Sequence, residues 1–109
     1  AGLPRGQVLL GVASNFGAAM RGPGEAEHKS MSLICLGHMG AAGQEGGGGI
    51  SPELEQVVQA WTEAGFQAKA TADIMARIWE KLLCNCAYSA SCALTGLTVG
   101  QVQDCPEAW

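Results

Sequence analysis

Lys81, Asn85 and Ser89 stand four residues apart, the interval at which side chains stack along one side of an α-helix. An ammonium, an amide and a hydroxyl in one row make a short polar strip within a segment that is otherwise apolar. Such a strip suits a carbonyl or oxyanion ligand. The cation meets developing alkoxide charge and can give it a proton, while the amide and hydroxyl hold the ligand by hydrogen bonds. Arg77, one turn before Lys81, adds a second positive charge. The same row also describes the solvated side of an amphipathic helix, so spacing alone leaves both readings open.

The element that must carry this row is a long helix from Ile74 to about Leu94, opened by Asp73 as N-cap and ended by Gly96. Ile74, Ile78 and Leu82 form one row and Met75, Trp79, Leu83 and Ala87 the next, which predicts a broad buried face. Thr98 is placed to cap a further helix that begins at Val99. Upstream, Ser51 supplies an N-cap and Pro52 the first helical residue. Glu53 and Glu55 then put negative charge at the positive end of the helix dipole. Leu54, Val57, Val58 and Trp61 give that helix its apolar stripe, and Gly65 ends it. The alternation over Phe66 to Thr71 predicts a short strand.

Nearer the N-terminus, Gln7 to Phe16 follows a Pro-Arg-Gly turn signal and reads as a buried strand. Arg21-Gly22-Pro23-Gly24 is a strong turn. Glu25 to Lys29 and Ser32 to Gly37 then read as one or two strands returning antiparallel to the first. Gly40 to Gly49 reads as loop, and its glycines lack the pattern of a phosphate cradle.

The composition narrows the function classes. The chain has 109 residues, 48% of them hydrophobic and 15% charged, with a formal net charge of −4. That describes a folded domain rather than a disordered one. An acidic chain without a Lys/Arg cluster is a poor electrostatic binder of nucleic acid or of anionic membranes. No apolar run is long enough to span a bilayer, and a soluble, cytoplasmic chain is the expectation. The five cysteines (Cys35, Cys84, Cys86, Cys92, Cys105) lack the spacing of a disulfide framework and read as buried free thiols, with no metal site. His28 reads as a strand-end or turn residue, and His38 has no evident partner. Sixteen glycines and six aromatics leave a modest core for one domain.

Trp79-Glu80-Lys81-Leu82-Leu83-Cys84-Asn85, followed by Ser91-Cys92-Ala93-Leu94-Thr95-Gly96, resembles the W-x-K-L-x-x-N and T-A-L-T-G segments of the ketopantoate reductase (2-dehydropantoate 2-reductase) family. Leu10 to Ala18 resembles the family's G-x-T-x-x-G-A strand, Pro23-Gly24-Glu25-Ala26-Glu27-His28 its P-G-x-V-x-H hairpin, and Thr98 to Val102 its T-x-G-E-L continuation. These landmarks keep the family's order over nearly the whole chain. The sequence departs from the family at Asn15, where a His is frequent, at Ser30, where a Gly is usual, and at Ser89, where a second asparagine is usual.

The resemblance implies a fold and a reaction. The fold is α/β, or α+β for the chain alone: a partial Rossmann-type sheet with an antiparallel hairpin, then the long first helix of an all-α C-terminal domain. Residues 1–72 would end a nucleotide-binding domain, and residues 73–109 would begin a helical catalytic and dimerisation domain. The reaction is NADPH-dependent reduction of a 2-keto acid, ketopantoate to pantoate in pantothenate biosynthesis. Lys81 matches the family's catalytic lysine, and Asn85 and, with the change noted, Ser89 match its substrate contacts. The family's G-x-G-x-x-G is absent from these residues, so no cofactor-binding residue is assigned. The chain is expected to be a central fragment that is inactive by itself. The alternative is a non-catalytic or diverged interaction module that self-associates or pairs with a partner chain.

Overall fold

The structure, a computed structural model, describes residues 2, 7–30, 32–40 and 49–108. The Pro-Arg-Gly turn signal and most of the Gly40 to Gly49 loop lie outside the described residues. Five strands and three helices follow in the order β1 (Leu9–Ser14), β2 (Gly17–Gly22), β3 (Glu25–Ser30), β4 (Leu33–His38), α1 (Pro52–Glu63), β5 (Ala68–Ala70), α2 (Ile74–Thr95) and α3 (Val99–Gln103), with a short 3-10 turn at Pro106–Ala108. This is the mixed α/β architecture expected: a small sheet, a hairpin, then a long helix. The chain divides into two compact units, Ala1–Arg77 and Ile78–Trp109.

In the first unit β4 is the central strand of a three-stranded sheet in the order β1-β4-β5. It runs antiparallel to β1, with Gly11 opposite Leu36, and parallel to β5, with Leu36 opposite Ala70. Its residues Ile34, Cys35 and Leu36 are buried, as an apolar run flanked by strands on both sides should be. β1 is shorter than the predicted Gln7 to Phe16 strand. It stops at Ser14, because Asn15 takes a left-handed conformation (φ 54°) that breaks the extended chain.

The antiparallel return to β1 is made by β4 alone. Glu25 to Ser30 pairs instead with β2, in a separate two-stranded hairpin. Pro23 and Gly24 (φ 80°) form its tip, with glycine where a turn of this kind needs positive φ. β2 escapes the sequence reading because Gly-Ala-Ala-Met-Arg-Gly has little intrinsic strand preference. Cross-strand pairing supplies what propensity lacks: Glu27 of β3 pairs with Arg21 of β2 as well as with Lys29 of its own strand, and Ser30 Oγ donates to the carbonyl of Asn15, just before β2, at 3.0 Å.

α1 forms as its end signals predict. Ser51 Oγ accepts from the Leu54 N–H at 3.2 Å, Pro52 opens the helix, and Gly65 (φ 91°) follows its last turn. Leu54, wholly buried, joins Ile34 and Leu36 in the core, with Val57, Val58 and Phe66 packed around them. Trp61, at the end of the stripe, stays largely exposed and meets the Phe66 ring edge-on at 5.1 Å. No helix among the described residues is long and apolar enough to cross a membrane.

Two expectations of burial are overturned. In α2 only Ile74 is buried, while Met75, Trp79, Leu82 and Leu83 are exposed. The row pattern is right, yet no described element covers that face. For the same reason the thiols are mostly accessible: Cys35 is buried in β4, Cys92 and Cys105 are half-buried, and Cys84 and Cys86 are exposed.

Candidate active site

α2 is anchored at its start and stopped sharply at its end. Asp73 Oδ1 accepts from the Ala76 N–H at 3.0 Å, and the Asp73 N–H donates to Thr71 Oγ1 at 3.2 Å. Thr71 is itself tied to the sheet, since its N–H donates to the Leu36 carbonyl at 2.9 Å. At the other end Gly96 (φ 70°) donates its N–H to the Cys92 carbonyl, and Thr95 Oγ1 donates to the Ser91 carbonyl at 2.6 Å. The six turns between are uninterrupted helix.

Lys81, Asn85 and Ser89 all lie in that helix and all are exposed. Helical geometry steps each about 40° around the axis and about 6 Å along it from the one before. The three therefore form an open, slightly spiralling strip that one small ligand could touch. α3 stands beside this region as a short capped helix. Thr98 and Gln101 form a capping box, Val102 is buried, and Gln103 Nε2 donates to the Tyr88 hydroxyl at 3.0 Å. The two partners lie fifteen residues apart, and no short-range pattern links them.

The second contact that sequence reasoning missed belongs to the first unit. His38 Nε2 and Ser51 Oγ share a hydrogen bond of 3.0 Å, its direction set by the imidazole tautomer. It joins the end of β4 to the cap of α1 across the glycine-rich connection. A glycine-rich segment hides such a closure, because it imposes no register on the residues that flank it. Among the described residues no three His, Cys, Asp or Glu side chains group as metal ligands, and the exposed Cys84 and Cys86 stand without such company.

The helix N-termini bear on whether a dinucleotide could be held here. The pyrophosphate of such a cofactor sits on unpaired N–H groups at the positive end of a helix. At α1 that place is filled by Ser51 and by Glu53, whose carboxyl is held below the ordinary glutamate range by its own backbone N–H and the Ser51 hydroxyl. At α2 it is filled by Asp73. Carboxylates at both ends repel a diphosphate, and the described residues do not fit one.

Residues 73–109 match the family model described as "Ketopantoate reductase PanE/ApbA C terminal". A 2-dehydropantoate 2-reductase of Archaeoglobus fulgidus is 29% identical over 101 residues, which is 93% of this chain and 32% of the relative. One from Streptococcus pyogenes serotype M3 is 28% identical over 100 residues, 92% of this chain and 30% of the relative. The crystal structure of a protein from Ralstonia solanacearum MolK2, assigned to the ketopantoate reductases, superposes with a TM-score of 0.73. It is 29% identical and covers 97% of this chain and 30% of its own. The chain is similar to the ketopantoate reductases over nearly its whole length. It spans about a third of the length of the curated relatives it matches. The family's C-terminal match opens at Asp73, the residue that caps α2, so the whole Lys81–Asn85–Ser89 strip falls within it.

Proposed function

We propose that the chain is the central piece of an NADPH-dependent reductase of 2-keto acids, of which ketopantoate is the leading candidate. In this reading residues 1–72 complete a nucleotide-binding domain and residues 73–109 begin the helical catalytic domain. The observation that carries it is the accessible strip on α2, lying inside the family's C-terminal match with a lysine, an asparagine and a hydroxyl in order.

Each residue then has one task. Lys81 Nζ donates to the ketone oxygen, polarises the carbonyl, and passes a proton to that oxygen as charge develops on it. The Asn85 amide, one turn on, hydrogen-bonds the substrate so that its ketone faces Lys81. The Ser89 hydroxyl supplies a further, shorter-reaching contact. The reduction also requires a hydride, and because the described residues do not fit the nicotinamide cofactor, no step through it is derived from them.

The test is Lys81→Ala in the longer protein that this reading implies. Ketone reduction is expected to fall by about 10²–10⁴-fold, the span of a lost general acid, with NADPH affinity largely unchanged. Normal turnover would remove Lys81 from its role. A second reading, a non-catalytic module that pairs with itself or a partner, is favoured by the uncovered apolar residues of α2, with Leu83 66% exposed. It predicts a dimer or larger species of the 109-residue chain on gel filtration, and a concentration-independent monomer would count against self-association.

A further inference from the structure

We infer that Glu27 is a latch that keeps the β2–β3 hairpin closed while its carboxylate is charged, so that acid opens the hairpin and leaves the three-stranded sheet folded. The inference concerns the first unit alone and does not depend on the assignment of the α2 strip.

The first ground is how little else holds the hairpin. β2 and β3 form a sheet of their own, and a two-stranded hairpin by itself is marginally stable in water. The pairs across it are Ala18 with His28, Ala19 with Glu27 and Met20 with Ala26. None of these is an aromatic or β-branched pair of the kind that stabilises a sheet. Met20 is 69% exposed, so the hairpin has little core of its own. The register also shifts twice, which leaves Arg21 on β2 and Lys29 on β3 as bulged residues with no partner directly opposite.

The second ground is where those two bulged cations go. Arg21 takes Glu27 in a fork of two hydrogen bonds, Nε to Oε2 at 2.8 Å and Nη2 to Oε1 at 2.5 Å. Lys29 Nζ meets Oε2 of the same carboxylate. One carboxylate thus holds the bulge of each strand and ties β2 to β3. Single exposed ion pairs add little, but a bidentate arginine within a network of charges is the arrangement that contributes. Arg21 first and then Lys29 hold the Glu27 carboxyl below the ordinary glutamate range. A carboxyl so depressed stabilises at pH values above its unfolded titration, and that stability is lost as pH falls through the folded one. Apart from this cluster the hairpin carries two titratable side chains, Glu25 and His28, both on β3. Opening can stop at the base of the hairpin, because the cluster of Ile34, Leu36 and Leu54 belongs to the other sheet and α1.

The test follows amide hydrogen exchange in the 109-residue chain, with residues 18–28 reporting the hairpin and residues 34–36 the sheet. At about pH 7, Glu27→Gln is expected to lower hairpin protection about three- to tenfold, the contribution of two exposed ion pairs, with sheet protection unchanged. In the unsubstituted chain hairpin protection should fall by a similar factor in acid, at the midpoint where the Glu27 side-chain carboxyl carbon titrates by NMR. Glu25→Gln and His28→Gln should leave that midpoint in place. Hairpin protection as high in Glu27→Gln as in the unsubstituted chain overturns the latch. An acid transition that follows Glu25 or His28 overturns it too, as does one in which hairpin and sheet lose protection together.

Discussion

Leu54 and Leu83 are the same residue in the same kind of secondary structure, and they mark the difference between the two halves of the chain. Leu54, in α1, is wholly buried against Ile34 and Leu36 of β4. Leu83, in α2, is 66% exposed. Both belong to helical stripes that the sequence presents as core-facing. The first unit contains the sheet that its helix needs, and the second presents an apolar face for which the described residues provide no cover. An amphipathic pattern reports that a face is suited to burial; whether it is buried depends on what else the chain brings to it.

The comparison breaks most visibly at Leu54. Among the described residues Leu54 is buried in a small cluster with Ile34 and Leu36, and Leu54→Ala is expected to cost about 2–5 kcal/mol. Circular dichroism during chemical denaturation should show the sheet unit unfolding at a much lower midpoint. A cost below about 1 kcal/mol would mean that α1 is not held to β4 by that side chain.

Gly37→Ala comes next. A Cβ at Gly37 would lie 2.7 Å from Ile74 Cβ and 2.7 Å from the Thr71 carbonyl oxygen, so β4 and the first turn of α2 can meet only because that position has no side chain. Overpacking of this kind costs about 1–3 kcal/mol. The expected sign is a lower unfolding midpoint, with amide shifts concentrated at Thr71 to Ile74. A neutral substitution would show that this junction is looser than its distances imply.

Ser51→Ala is smaller, about 1 kcal/mol for a lost N-cap, and it carries a pH signature. Glu53 is exposed, and its carboxyl lies below the ordinary range because its own backbone N–H and then the Ser51 hydroxyl favour the charged form. A depressed carboxyl adds stability at pH values above its unfolded titration and loses it as pH falls through the folded one. Removing the Ser51 hydroxyl should move the Glu53 titration upward toward that of an ordinary glutamate, followed by NMR on the side-chain carboxyl carbon. An unmoved titration would assign the depression to the backbone N–H and the nearby His38 charge instead.

What could be read in advance follows the range of each interaction. Ser51, Asp73 and Thr98 were legible as caps, since a cap is decided within three residues, and all three side chains accept the backbone hydrogens expected of them. The Pro23-Gly24 turn was legible for the same reason. β2 was not, because Gly17 to Gly22 is a strand through its pairing with β3 rather than through its own residues. The spacing of Lys81, Asn85 and Ser89 was legible as a helical row, while Gln103 on Tyr88 and Ser51 on His38 needed tertiary structure. Cys84 and Cys86 are exposed for the same reason as Trp79 and Leu83. In each case a face fit for a core was read as a core.

Leu83→Gln carries the smallest expected effect and sharpens the comparison further. Leucine and glutamine have nearly equal helix propensity, and an exposed side chain without special contacts changes stability by no more than about 0.5 kcal/mol. The substitution should therefore leave the unfolding midpoint of the 109-residue chain where it was, against the large fall at Leu54. A loss above about 1.5 kcal/mol would show that Leu83 is covered in solution. If that loss grew with protein concentration, the cover would be a second copy of the chain, because only an associating interface makes stability depend on how much protein is present. If it did not, Leu83 would pack within its own chain, and the contrast between the two leucines would be gone.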